Sequence, residues 1–260
     1  MDLEMKKNEN GVMKFLLSDV TPAFANSIRR TILKGIPVMA INDVEFAQND
    51  SVISDEIMAH RLGQLALNTP DGFLLPSECD CREGRCSNCS VTFSLSAEGP
   101  SELRAEDLES SDPEVSPVQE ESPIVKLTEG QKLEFEAIAR LGLADEHANW
   151  QPAIASYKYM PVIDIDQDAR DDWEDCVEAC PEDVFEEDGD EIEVVDLESC
   201  TLCKACVDEC PDAISVEGDS SKYIFRVEST GAFSPEKAVK KSLEKLQEKS
   251  EDFKEALDRF

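Results

Sequence analysis

Ten of the 260 residues are cysteines, and their spacing points to metal chemistry. Cys200-x2-Cys203-x2-Cys206-x3-Cys210-Pro211 sets three thiolates three residues apart. That is the interval at which each reaches a different iron of a 4Fe–4S cubane, while the fourth thiolate, followed by proline, leaves the loop. Upstream, Cys176-x3-Cys180-Pro181 repeats the second half of this run. Arg170 and Trp173 stand where the first two ligands of a complete repeat would be.

In two-cluster bacterial ferredoxins the fourth thiolate of such a run ligates the other cluster. Under that crossed rule one complete ligand set exists: Cys200, Cys203 and Cys206, with Cys180 from the degenerate half. Cys176 and Cys210 remain, too few for a second cluster, as neighbouring thiols, a disulfide or extra ligands. One 4Fe–4S cluster is therefore expected, and a 3Fe–4S form follows if Cys203 is displaced. The alternative assigns all four of Cys200 to Cys210 to one cluster; the trailing Pro211 argues against it.

A second group, Cys79-x-Cys81-x4-Cys86-x2-Cys89, packs four thiolates into a short loop with Gly84 to allow the reversal. It reads as a tetrahedral zinc knuckle, with Arg82 and Arg85 offsetting the charge of a Zn–S4 centre. An empty or oxidised loop is the alternative. Asp164, Asp166 and Asp168 mimic the start of a calcium loop, but Ala169 replaces the turn glycine and Asp175 the bidentate glutamate, so a solvated acidic face is expected. There is no phosphate-cradling glycine loop, no GxSxG and no HExxH. His60 and His147 read as structural, and no active site is expected in this chain.

The elements that carry these groups are set by charge and periodicity. The chain has 58 acidic and 25 basic residues, a net charge of −33 and a pI near 4.2. Phosphate backbones repel such a chain, which excludes a broad nucleic-acid grip of its own. The opening MDLEMKKNEN lacks the apolar core of a signal peptide, and the longest uncharged run, Cys86 to Ala97, is too short and serine-rich to span a membrane. A soluble cytoplasmic protein is expected, in which reducing conditions favour metal ligation over disulfides. Between Asp164 and Asp219, 23 acidic residues face only Arg170 and Lys204, a net −21. Few large apolar residues accompany them, so a cluster is expected to hold this segment together.

Thr21-Pro22 caps a helix in which Phe24, Ile28 and Ile32 recur every fourth residue until Gly35-Ile36-Pro37 stops it. Ser234-Pro235 opens another, striped by Val239, Leu243, Leu246, Ser250, Phe253, Leu257 and Phe260. That stripe suits either a partner helix or the chain's own core. A third helix is predicted from Ser54 to Leu67, with Ile57, Arg61/Leu62 and Leu65 on one side. Strands are predicted over Met13–Leu17, Val38–Phe46, Ser90–Leu95, Lys132–Ala139, Ile154–Ile163 and Tyr223–Val227. The Pro/Ser-rich run from Ser110 to Pro117, inside the acidic stretch Glu98 to Glu121, reads as a solvated loop or hinge.

These residues resemble a known family. The segment FANSIRRTIL from Phe24 to Leu33, then Gly35-Ile36-Pro37 and AINDVEF from Ala40 to Phe46, is similar to the assembly motif of alpha-like RNA polymerase subunits. The segments Ser54 to Gly63, Glu146 to Pro152, and Tyr223 to Ser229 with Ser234-Pro235 resemble later family segments in the same order. The iron–sulfur insertion resembles the archaeal version. The resemblance implies an α+β fold. Its dimerisation domain is built from residues 1–45 and 220–260, followed by an insert domain (46–163) with the zinc-type loop and a ferredoxin-like domain (164–219). It implies a non-catalytic assembly platform of DNA-directed RNA polymerase, with nucleotidyl transfer left to the two largest subunits. The implied partners are subunit L as heterodimer mate, subunits N and P, and the second-largest subunit, with DNA reached only through the complex. Phe24, Ile28, Ile32 and the stripe Val239, Leu243, Leu246, Phe253 and Leu257 would bury the heterodimer interface, and Arg29 and Arg30 would meet carboxylates of the second-largest subunit. The competing reading is a ferredoxin-type electron carrier. Against it, the cysteine run sits as an insert between two halves of another domain.

Overall fold

The computed structural model describes residues 1–81, 85–170, 172–189 and 191–259. Arg82 and Gly84 of the Cys79–Cys89 loop and Phe260 of the C-terminal stripe lie outside the described residues. In chain order the elements are β1 (Asp2–Glu9), β2 (Val12–Ser18), α1 (Pro22–Lys34), β3 (Val38–Asn49), α2 (Asp55–Gly63) and β4 (Ser90–Glu98). Then come β5 (Ser101–Arg104), β6 (Glu109–Ser110), β7 (Pro123–Leu127), β8 (Lys132–Gly142) and β9 (Ala153–Ile165). The chain finishes with α3 (Glu174–Glu178), β10 (Phe185–Asp188), β11 (Glu191–Val194), α4 (Ala205–Glu209), β12 (Ile214–Ser229) and α5 (Pro235–Leu257). This is the expected α+β class. Two compact units form, one from residues 1–8, 13–26 and 156–226, the other from 9–12, 27–155 and 227–260.

The first unit rests on a sheet of order β1-β2-β12-β9. Asn10 and Gly11, both at positive φ, make the two-residue turn between the first strands. Phe15 stacks on Phe225 at 5.0 Å, and Tyr157 packs its edge on Tyr223 at 5.3 Å. β1 is exposed along its whole length, so it shows no inward alternation from which sequence could predict it. The hairpin of β10 and β11 is also new, because its acidic residues hide the inward-facing Phe185 and Ile192.

The second unit is built on the antiparallel ladder β3-β8-β4-β6. Along β8 the residues Leu133, Phe135, Ala137, Ala139 and Leu141 face inward with the period of two that a strand imposes, meeting Val91, Phe93 and Leu95 of β4. Each large side chain so buried contributes roughly 1.5–3 kcal/mol. α2 ends at Gly63, short of Leu67, and the buried face is Met58 and Leu62 while Ile57 is 54% exposed. Of the predicted face, Leu62 is buried and Leu65 packs against the core, while Met58 takes the inward place expected of Ile57. Arg61 instead donates to the Ile124 carbonyl at 2.9 Å. A Cβ on Gly63 would meet Asn149 Nδ2 at 2.9 Å, so close packing requires a glycine in the last turn of the helix.

The Ser110–Pro117 run is also corrected. Val115 is fully buried, Leu67 pairs with Pro117, and the Asn68 side chain both accepts from Ser116 N and donates to the Glu114 carbonyl, each at 2.6 Å. An amide side chain that satisfies two backbone groups anchors a loop whose composition reads as solvated.

α1 begins where expected, with Thr21 Oγ1 accepting from Phe24 N at 3.3 Å. Ser234 Oγ likewise accepts from Lys237 N at 3.3 Å to cap α5. On α5 the first turns are buried at Ala238, Val239 and Ser242, and further along Leu243, Phe253 and Leu257 are 43%, 65% and 56% exposed.

Candidate metal centres

The acidic segment packs around sulfur. Trp173, Cys176, Val184, Phe185, Ile192, Cys200, Cys206, Cys210 and Ile214 form one buried cluster. Cys200 follows a short helical turn, Leu197–Ser199, capped by Asp196, whose carboxylate accepts from Ser199 N and Ser199 Oγ at 3.2 and 2.7 Å. Leu202 and Lys204 then adopt left-handed backbone, φ 60° and 65°, and α4 begins with Cys206 on it. Two left-handed residues set among three cysteines turn the chain around a common point, a conformation that costs non-glycine residues about 1–2 kcal/mol each.

Cys180, Cys200, Cys203 and Cys206 are not engaged in disulfides; Cys200 and Cys206 are buried and Cys203 is exposed. Burial, and after it the charges of Cys180, Cys200 and Cys203, push the Cys206 thiol up. Cys206 thus senses the charges of the other three cysteines. A bound cation or iron centre would relieve that repulsion.

Cys176 and Cys210 are joined by a disulfide, so Cys210 is not available as a fourth ligand to its own run. Arg170 Nη1 donates to both sulfurs, at 3.1 Å to Cys176 and 2.8 Å to Cys210, and Trp173 is fully buried beside them. The two residues at the missing ligand positions are thus part of the packing around the disulfide. A disulfide is among the states expected for two cysteines left over from the ligand set and adjacent in the fold.

A lysine that the sequence did not single out joins this site. Lys158 on β9 donates Nζ to the Cys200 carbonyl at 2.9 Å and also to the Glu198 carbonyl. Burial pushes its ammonium down, while the nearby Cys200 charge pulls it up. Its signal in the sequence is faint: a lone cation in the largely apolar AIASYKYMPVI.

The Cys79–Cys89 group lies in the second unit, and its four ligand atoms lie within 4.8 Å of one another. Cys79–Cys86, Cys81–Cys89 and Cys86–Cys89 are separated by 3.6, 3.3 and 3.6 Å. A tetrahedron with arms of about 2.3 Å has edges of about 3.8 Å, so the four sulfurs are close to the geometry of a single-metal cage. The Asn88 backbone N–H and the neighbouring thiols hold Cys86 down at about 7, whereas burial pushes Cys89 up. Arg85 pairs with Glu45 on β3 at 2.6 Å.

The remaining predicted residues divide by burial. Phe24 is 38% exposed, whereas Ile28 and Ile32 are 4% and 0% exposed. Arg29 is half-buried and Arg30 exposed. Leu246 is half-buried, and Val239 belongs with the buried first turns of α5. Ile28, Ile32 and Val239 are therefore core residues of this chain, and the accessible apolar stripe narrows to Phe24, Leu243, Leu246, Phe253 and Leu257. A spacing of four marks a buried face equally well whether the cover is the same chain or another. Asp166 accepts from Asp168 N at 3.2 Å, a local turn in keeping with a solvated acidic face. His60 is exposed, and His147 Nδ1 accepts from Asn149 N at 3.2 Å beside Trp150. No described helix is long and apolar enough to cross a membrane.

Comparison with known proteins gives two family matches: the RNA polymerase Rpb3/RpoA insert domain over residues 40–166 and a 4Fe-4S binding domain over residues 193–214. The chain is 39% identical to the DNA-directed RNA polymerase subunit Rpo3 of Methanosphaera stadtmanae over 262 residues, which covers 97% of each chain. It is 41% identical to Rpo3 of Methanothermobacter thermautotrophicus, over 96% of this chain and 97% of the other. It is 38% identical to Rpo3 of Archaeoglobus fulgidus, over 99% and 98%.

Proposed function

The chain belongs to the Rpb3/RpoA family of DNA-directed RNA polymerase subunits, and we propose that it is the archaeal iron–sulfur member of that family, acting as the platform on which the polymerase assembles. It is a non-catalytic assembly subunit that functions within the nucleotidyltransferase complex, in the cytoplasm. Its heterodimer mate is subunit L. Residues 1–45 and 220–260 form the dimerisation domain, 46–163 the insert and 164–219 the ferredoxin-like domain. Subunits N and P join afterwards, as does the second-largest subunit, which binds through Arg29 and Arg30. DNA is met only through the assembled enzyme.

Cys180, Cys200, Cys203 and Cys206 hold one 4Fe–4S cluster, which ties together a segment too acidic to bury enough surface unaided. Exposure of Cys203 supports its loss first, leaving a 3Fe–4S form. Cys79, Cys81, Cys86 and Cys89 hold zinc, a reading supported by sulfur separations close to tetrahedral edges.

The observation that carries the platform reading is the outer half of α5. A helix whose first turns are buried leaves Phe253 and Leu257 65% and 56% exposed, and such large apolar residues in line on a charged helix fit an amphipathic partner helix. Co-expression of the full chain with subunit L tests it. Phe253→Glu with Leu257→Glu puts charge into an apolar contact and is expected to weaken co-purification by tenfold or more, about 1.4 kcal/mol. Iron, zinc and circular dichroism should stay unchanged. Undiminished co-purification of the double variant would defeat the reading.

A further inference from the structure

Two lysines from the opposite edge strands of one sheet converge on the turn that leads into the cluster-binding loop. In the order β1-β2-β12-β9 the edges are β1 and β9. From β1, Lys6 pairs with the Glu198 carboxylate at 2.7 Å. From β9, Lys158 donates to two backbone carbonyls of the same turn, those of Glu198 and Cys200. The contacts differ in kind. Lys6 touches a side chain that can move away, while Lys158 holds the backbone of Cys200 itself, whose side chain is buried.

Below the turn lies a cavity of about 380 Å³ lined by Lys14, Tyr157, Lys158, Asp196, Ile224 and Arg226. The turn therefore does not rest on packed side chains over its whole length. Cys200 is packed in the buried cysteine cluster, and its backbone is held on the cavity side by the bonds that tether the turn. Asp196 and Ser199 fix the start of the turn; at its end, Lys158 is the side chain that holds Cys200. Lys158 is also a cation in a chain of net charge −33, adjacent to a segment that is −21 without its sulfurs.

From this juxtaposition we infer that Lys158 is a positioning residue of the iron–sulfur centre: its ammonium fixes the backbone of Cys200 and places one positive charge beside the cluster. The inference rests on the reading of Cys180, Cys200, Cys203 and Cys206 as the cluster's ligands. Two effects follow from the one contact. Held in place, Cys200 keeps its thiolate on iron, so the cluster resists loss. The added charge favours the reduced cluster, which carries one more negative charge than the oxidised form, because local charge and hydrogen bonding set the potential of such centres.

The test uses the full chain, purified anaerobically and reconstituted with iron and sulfide, as wild type, Lys158→Met and Lys158→Gln. Iron and sulfide are counted per chain, loss to a chelator is timed, and the reduction midpoint is followed by electron paramagnetic resonance. In Lys158→Met the cluster is expected to be lost several-fold faster, and the ratio of reduced to oxidised cluster to fall about tenfold at fixed potential, a shift of about 59 mV for a one-electron couple. Lys158→Gln keeps a donor without the charge; it should share the shifted midpoint while losing iron more slowly than Lys158→Met. A lysine with only a structural role would lower thermal stability and leave the midpoint where it was. A wild-type midpoint in both variants overturns the inference, and the Gln variant alone decides it if the Met variant fails to fold. Wild-type protein that takes up no iron at all would overturn the ligand reading first, and the role of Lys158 with it.

Discussion

A methyl group is enough to disturb the insert sheet at one position. β8 ends at Gly142, paired with Val38, and a Cβ there would stand 2.3 Å from Trp150 Cε2 and 2.4 Å from Cδ2. These are atoms of a rigid indole that is itself 3% exposed and tied by Nε1 to the Arg140 carbonyl at 3.1 Å. The ring cannot give way as the end of a flexible side chain could. Gly142→Ala is therefore expected to cost roughly 1–3 kcal/mol, the usual range for an overfilled core, and to change the emission of Trp150. Urea denaturation followed by fluorescence checks both; an unaltered midpoint and spectrum would show that the backbone absorbs the extra carbon. At this same scale Arg170 and Trp173 show what single residues do to a metal motif. Each stands at a ligand position of the complete motif, Arg170 bonded to the two sulfurs and Trp173 buried in the core.

Among elements, the pair α3 and α4 depends on the link between Cys176 and Cys210, which are 34 residues apart. Closing a loop of that length lowers the entropy of the unfolded chain, worth about 3–4 kcal/mol on the chain-entropy account. Replacing both cysteines by serine should accelerate amide exchange in α3, α4 and the β10–β11 hairpin, and leave the β3-β8-β4 ladder as it was; equal protection in both proteins would show that the link contributes no stability. Elements of this kind mark where sequence is legible. The helices at Thr21-Pro22 and Ser234-Pro235 announce themselves because a cap, a proline and a spacing of four or three all agree. The interior strands do so because Val91, Phe93 and Leu95, or Leu133, Phe135 and Ala137, alternate. α2 was harder: Ile57 and Met58 are equally apolar neighbours, and only packing against the sheet decides which faces in. β1 carries no inward face to read. The cysteine groups were legible as sets because spacing constrains ligands, but the Lys158 contact was not, since it joins positions 42 residues apart.

For the molecule as a whole, charge is the least ordinary property. Of a net −33, the stretch from Asp164 to Asp219 carries −21, concentrated in one of the two compact units. The insert sheet, by contrast, is held by a large apolar core. The relatives that match over nearly the full chain are RNA polymerase subunits, and the 4Fe-4S match covers residues 193–214 only, so nothing favours reading the chain as an electron carrier. Self-repulsion in such a unit opposes compaction and is relieved by salt. Raising the ionic strength from about 0.01 M to about 1 M shortens the Debye length from about 30 Å to about 3 Å. Hydrogen exchange across α3, β10, β11 and α4 should therefore slow by about tenfold, equal to about 1.4 kcal/mol, between those limits. The β3-β8-β4 ladder should hardly change, because its stability comes from buried apolar surface and not from charge. A uniform response in both units would mean that salt acts on burial generally. No response in the acidic unit would mean that its sulfur links already outweigh the repulsion.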